Sequence, residues 1–314
     1  MYTIRPASAV DFTTVVELVV RLQARPEHFI GYHGVTEQEV TDELSGVTGA
    51  WADNAVVAVD SDDDVHGVLT ADVDADLGRA WLLGPYIDFP DGHPAADRLW
   101  HSTADELLAK VLGLPSLAGI DDLELYGHRK HRRLADFAAQ HGFTGGAVSR
   151  VFVLDGSALR SLMVRDAEQP SGVPGVRALP DDPRVRDAVA ALHERSFPGR
   201  TISGRGLVEG RKDHVVVVAE HGGVIGYAAG YPQDDELYVD YVAVDPGKRS
   251  AGVGGALIRG LLQEMALRHG PRGQAAAVIS LGNDASERMF TRLGFALHLE
   301  LVSYRRQAAS KAAG

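Results

Sequence analysis

The chain has 314 residues, 45% of them hydrophobic, which is enough to bury a sizeable core and to divide into two domains. It carries no cysteine, so disulfides, thiolate nucleophiles and Cys-ligated zinc are excluded. A formal net charge of −12 argues against a nucleic-acid partner, whose footprint would be basic, and suits a cationic or amine ligand.

In chain order, Tyr2 to Pro6 reads as a strand and the periodic apolar residues Val15, Val16, Leu18, Val19 and Leu22 as a helix. A second helical pattern with a loop covers 23–50. Ala55 to Val59 and Val65 to Val73 form a hairpin about Ser61-Asp62-Asp63-Asp64. Ala80 to Ile87 is a strand, Ala95 to Val111 a helix, Leu123 to Tyr126 a short strand and Arg132 to Gln140 a helix. Ser149 to Leu154 is the last strand of this half. The Pro- and Gly-bearing stretch 166–175 reads as a linker. The order then repeats. Val176 to Leu179 is a strand, Pro183 to Ser196 a helix and Thr201 to Lys212 a polar helix or loop. Val215 to Glu220 and Val224 to Tyr231 form a hairpin. Glu236 to Val244 is a strand, Ala256 to Arg268 a helix and Ala275 to Leu281 a strand. A helix follows from Asn283, and Ala296 to Arg305 closes the set. The expected division is 1–165, linker 166–175, 176–307, and a flexible tail 308–314. No apolar run approaches membrane-spanning length and the start has no signal-peptide pattern, so the expected place is the cytoplasm, with no membrane partner.

The sequence organises around residues 236–295. A strand rich in β-branched and aromatic residues meets the break Pro246-Gly247, and a helix then opens on Gly252, Gly254 and Gly255. The first turn of a helix has amide groups without internal partners and carries partial positive charge. Glycines let a phosphate approach that backbone, and Arg249 adds a forked cation. The spacing fits neither the dinucleotide fingerprint nor the Walker loop.

Arg249-x-x-Gly252-x-Gly254, preceded by Val244-x-Pro246, resembles the acetyl-CoA loop of the GNAT N-acetyltransferase superfamily. Asn283 with a helix ending in Leu293-Gly294-Phe295 is similar to that family's last-helix motif. The resemblance covers about residues 175–306. It implies an α/β (α+β) fold of two tandem GNAT-like lobes, each a mixed, mostly antiparallel sheet flanked by helices. It also implies acetyl-CoA as co-substrate and no metal. By the same resemblance, Val242, Ala243 and Val244 pair with the pantetheine arm, and the Val242 N–H polarises the acyl carbonyl. Arg249, Ser250, Ala251, Gly252, Val253, Gly254 and Gly255 hold the pyrophosphate, and Asn283 and Phe290 complete the cofactor site.

Period two places Glu236, Tyr238, Asp240, Val242 and Val244 on one strand face. Asp240, four residues before Val244, is close to where members of the resembled family often carry a carboxylate, so the resemblance implies it as the first candidate base with Glu236 the reserve. The family's acid is a tyrosine at the position of Phe290. Tyr304, Tyr241 or Tyr227 could replace it, or the thiolate could leave unaided. Pro94 and Pro246, and likewise Gly142-Phe143 and Gly294-Phe295, share an offset of 152 residues, so the halves look like a duplication. The first half offers Asp88, Asp91 and Pro94 where a cradle needs glycines, and reads as a degenerate lobe. Its His128-x-x-His131 has the spacing of a metal pair but lacks a third ligand, and a solvated face is the simpler reading. The function expected is acetyl transfer to the primary amine of a small molecule. A non-catalytic acyl-CoA sensor and a protein or peptide acetyltransferase are the alternatives, and a homodimer is compatible with either half.

Overall fold

The computed structural model describes residues 2–89, 94–168, 175–198, 202–233, 235–248 and 252–307. The elements are β1 (Thr3–Pro6), α1 (Phe12–Gln23), α2 (Glu37–Ser45), β2 (Ala55–Val59), β3 (Val65–Asp74), β4 (Arg79–Ile87), α3 (Ala96–Val111), β5 (Asp122–His128), α4 (Arg132–Gln140), β6 (Thr144–Asp155) and α5 (Gly156–Glu168). They continue with β7 (Val176–Ala178), α6 (Pro183–Ser196), α7 (Gly204–Val208), β8 (Val215–Glu220), β9 (Val224–Pro232), β10 (Glu236–Val244), α8 (Val253–His269), β11 (Gln274–Ser280), α9 (Asp284–Arg292) and β12 (Ala296–Gln307).

The chain forms two compact units, residues 1–148 with 300–314, and residues 149–299. Each repeats one order: strand, two helices, three antiparallel strands, helix, parallel strand, helix. This is the mixed, mostly antiparallel architecture expected from the sequence. The closing strands are exchanged, however. In the first unit the strand order is β1-β2-β3-β4-β5, and the far edge of β5 is covered by 301–307 of β12, from Leu301 opposite His128 to Gln307 opposite Asp122. In the second unit the order is β11-β10-β9-β8-β7, and β11 is covered by Ser149 to Asp155 of β6. Strand propensity identified both closing strands. It carries no information about which edge a strand joins, so the boundary at the 166–175 linker and the division by contacts differ.

The cores follow from alternation. The first unit buries Trp51, Trp100, Tyr86 and Phe137 among aliphatics from α1, α3 and β2–β5. In the second unit one sheet face packs under α8, α5 and α9 through Leu237, Val239, Ala275, Ala277, Leu257, Leu261 and Phe290. The other packs under α6 through Val216, Val218, Tyr227, Tyr241 and Ala243. Helix starts are specified locally. Asp182 caps the Arg184 amide and Pro183 occupies the first turn of α6, where its missing N–H costs nothing. Thr36 and Glu39 form a reciprocal capping box on α2.

Candidate functional site

The site is the place in the second unit where β10 leaves β11. The two strands pair in parallel only from Glu236 opposite Gln274 to Val239 opposite Ala277. Beyond that, β10 runs on with β9 to Val244, opposite Gly226, while β11 runs on with β6 to Ser280. Past Val239, then, among the described residues no strand pairs with the β11-facing edge of β10. Such an edge presents backbone donors and acceptors to an extended guest.

At the parting point β10 carries a bulge. Val239 lies opposite Gly230 and Tyr241 opposite Ala229, so Asp240 is an extra residue. This overturns the expected shared face. Before the bulge, Leu237 and Val239 point to the α8 side. After it, Val242 and Val244 pack there, while Tyr241 and Ala243 turn to the α6 side. A one-residue insertion inverts the parity of everything beyond it, so Asp240 and Glu236 do not share a face with Val242 and Val244.

Downstream of β10, Gly252 takes φ 77°, a left-handed conformation that glycine adopts without strain, and α8 begins at Val253. Among the described residues no side chain caps this 17-residue helix. A Cβ at Gly254 would stand 2.5 Å from the Met289 sulfur, so glycine there lets α8 and α9 close on each other. Val253 is buried and anchors the first turn, leaving Gly254 and Gly255 half-exposed. The result, among the described residues, is a helix N-terminus without a side-chain cap at the end of a strand that has left its neighbour, which fits a pyrophosphate joined to an extended arm. Arg249, Ser250 and Ala251 lie outside the described residues.

The remaining candidates separate. Asn283 caps α9 by accepting the Ser286 amide at 3.3 Å through Oδ1, which leaves its amide nitrogen as the donor for a ligand. Phe290 is 4% exposed and packs edge-on against Phe295, with ring centroids 5.0 Å apart, as a core residue. Glu236 is half-buried at the start of β10, where its carboxylate accepts from Gln274 Nε2 at 3.3 Å. Burial pushes its carboxyl above the usual value of 4.5; the Gln274 bond opposes the shift and Asp235 adds to it. Asp240 is engaged elsewhere: its Oδ2 meets His214 Nε2 at 2.9 Å. His214 was not legible in the sequence, since its partner is 26 residues away and no motif spacing links them. The Tyr227 hydroxyl is fully buried and meets His193 Nδ1 at 2.6 Å. The other His193 nitrogen faces the Ile202 carbonyl at 3.0 Å, so it carries the hydrogen and Tyr227 is the donor. Tyr304 belongs to the first unit and packs against that unit's core.

In the first unit the corresponding gap is filled from within. β4 and β5 also pair in parallel over four positions, Arg79 to Leu82 with Asp122 to Leu125, and then part. Residues 29–31 lie against the freed edge of β5. Ile30 bridges to Gly127, the Gly31 amide donates to the Tyr126 carbonyl at 2.6 Å, and the His128 amide donates to the Phe29 carbonyl at 2.9 Å. Buried Gln23 locks the segment. Its Nε2 donates to the Ile30 and His33 carbonyls at 2.7 and 2.8 Å, and its Oε1 accepts from the Ile30 amide at 3.0 Å and from the Tyr86 hydroxyl of β4 at 2.7 Å. His128 and His131 are structural. Each Nδ1 accepts a backbone amide, from Lys130 at 3.0 Å and from Leu134 at 3.2 Å, the latter as the cap of α4. Among the described residues no group of three or more His, Cys, Asp or Glu could hold a metal ion, and no helix is long and apolar enough to cross a membrane.

The acetyltransferase (GNAT) family model matches residues 185–295. Among solved structures, a GCN5-related N-acetyltransferase from Sphaerobacter thermophilus aligns over 98% of this chain and 95% of its own, with TM-score 0.59 and 14% identity. A GCN5-related glucosamine N-acetyltransferase region of a fungal multi-domain GH3 β-N-acetylglucosaminidase aligns over 97% of this chain and 38% of its own, with TM-score 0.54 and 13% identity. No curated protein matches the chain in sequence. The matched segment runs from α6 through the parted strands and the start of α8 to Phe295; these residues are similar to the GNAT acetyltransferase family, and the whole chain, in which the order of elements occurs twice, has the fold of the GNAT structures it aligns with.

Proposed function

We propose that the second unit transfers an acetyl group from acetyl-CoA to the primary amine of a small molecule by direct attack. The observation that carries this reading is that β10 parts from β11 after Val239 and leads toward the N-terminus of α8, which has no side-chain cap among the described residues. Acetyl-CoA would supply an activated thioester. The first-turn amides of α8, from Val253 to Gly255, with Arg249, Ser250 and Ala251 before them, hold the pyrophosphate. Val242, Ala243 and Val244 pair with the arm, and Asn283 donates to it. A backbone N–H on the β10 edge past the bulge, for which Val242 is the expected residue, donates to the acyl oxygen.

Glu236 replaces Asp240 as the base. Its half-buried carboxyl, pushed above the usual 4.5 by burial, suits a proton acceptor, whereas Asp240 is engaged by His214. Tyr227 is excluded as the acid by its bond to His193, and neither Tyr304 nor Tyr241 is given that role, so the thiolate leaves unaided. The first unit, with its gap filled by 29–31, binds no coenzyme. The acidic composition and the carboxylates on β10 favour a cationic amine and disfavour nucleic acid. The protein is expected in the cytoplasm, and a homodimer is compatible with this function. The test is acetyl-CoA turnover with a panel of small amines, read as free thiol. Amine-dependent thiol release supports transfer. Tight binding without release identifies a sensor instead, and release only with peptide amines identifies a protein acetyltransferase.

A further inference from the structure

At the bulge, where β10 leaves β11, Asp240 meets a buried side chain. His214 stands one residue before β8, and its ring is fully buried. Nδ1 lies 3.0 Å from the Arg211 carbonyl and Nε2 lies 2.9 Å from Asp240 Oδ2. The ring therefore bridges the Arg211 carbonyl and the Asp240 carboxylate, one through each nitrogen. The ring is walled by Tyr231 of β9, edge-on at 5.0 Å, and by Tyr241 of β10, stacked at 6.2 Å. Asp240 is the extra residue of the bulge itself, and the β10–β11 ladder ends one position before it. A hydrogen bond from a ring fixed at its other nitrogen therefore reaches the point where the two strands diverge.

We propose that His214 is a positioning residue for the acyl-CoA: through Asp240 it keeps the bulge formed and the gap between β10 and β11 open. This rests on the function proposed above. A bulge costs a ladder position and stays where a specific contact compensates for it. Without the tether, β10 can relax toward regular pairing, which shifts the edge offered to the arm of the coenzyme. His214 touches neither substrate nor coenzyme. Its effect passes through Asp240 to the backbone of Tyr241 and Val242.

Two substitutions separate the tether from the packing. His214→Phe keeps an aromatic ring between Tyr231 and Tyr241 but removes both hydrogen bonds. His214→Gln gives up the ring but retains an amide donor for Asp240. Acetyl-CoA binding is measured by calorimetry on the full-length chain, with amide exchange of Tyr241 and Val242 followed without ligand. The expected order of affinity is wild type, then Gln, then Phe. The Phe variant should bind about tenfold more weakly or worse, in line with the cost of a small misplacement at a reacting site. Its β10 amides should exchange faster while its melting temperature stays above that of the Gln variant. Equal binding by wild type and Phe, or Phe binding better than Gln, overturns the proposal and leaves the function standing. A wild-type chain that binds no acetyl-CoA overturns the function itself and this inference with it.

Discussion

Burial pushes Glu236 and His131 in opposite directions for the same reason, since each is driven toward its neutral form. Burial brings the His131 imidazole from 6.5 to about 3, with nearby His28, Arg133 and His128 adding to the effect. The folded-state value is depressed, so the unfolded chain binds a proton in this interval and the folded chain does not. The stability tied to neutral His131 is complete above pH 6.5 and is lost progressively toward about pH 3. Urea unfolding between pH 4 and 7 should show His131→Asn, which keeps a capping side chain on α4, losing less stability on acidification than wild type. The gap between the two curves should open by up to about 1.4 kcal/mol per pH unit. Parallel curves would remove His131 from the acid response. For Glu236 the sign is reversed: its pKa is raised, so ionisation disfavours the folded state above 4.5. Glu236→Gln should therefore be at least as stable as wild type at pH 7 by thermal melting, while its turnover falls ~100-fold or more, the usual contribution of a general base. Unchanged turnover would leave proton removal to solvent.

At the level of elements, the glycine-opened start of α8 was readable and the parting of the strands followed from the family resemblance, but the bulge at the parting point was not readable. Gly252, Gly254 and Asn283 carry their roles in local sequence, because a left-handed turn, a close helix approach and a helix cap each select particular residue types. The bulge at Asp240 left no such mark. Tyr238-Val239-Asp240-Tyr241-Val242 alternates as an uninterrupted strand would, and the inserted residue is revealed only by its partners on β9. The plug in the first unit was also invisible, since Phe29-Ile30-Gly31 is an unremarkable loop until Gln23 and β5 are placed around it. One consequence can be counted. With one gap open and the other filled by the chain's own backbone, acetyl-CoA should saturate at one molecule per chain in calorimetry. Gly254→Val, which puts a branched side chain against Met289 at the start of α8, should abolish that event and reveal no second one. Two molecules per chain, or residual binding in the Gly254 variant, would show that residues 29–31 yield to ligand.

For the whole chain, the exchange of closing strands sets where it can be cut. A break in the 166–175 linker looks natural from composition, yet it removes Ser149 to Asp155 from β11 and Leu301 to Gln307 from β5. The second unit would lose Phe152 and Leu154, which are 3% and 0% exposed in its core, at about 1.5–3 kcal/mol each, together with a full antiparallel ladder. It would also present a bare β11 edge, on a strand where Val278 is already exposed. The losses are comparable to the whole stability of an ordinary domain. A fragment of residues 176–314 is therefore expected to aggregate or to melt without a cooperative transition. A fragment of 149–299, which retains the native cover of β11, should melt cooperatively by circular dichroism and bind acetyl-CoA. The two fragments share residues 176–299, so the cradle is present in both and only the strand cover and the α5 region are lost from the first. Cooperative folding of 176–314 would mean that its own β12 can turn back onto β11. In that case the exchange would be a preference of the tandem chain and no longer a requirement of the second unit.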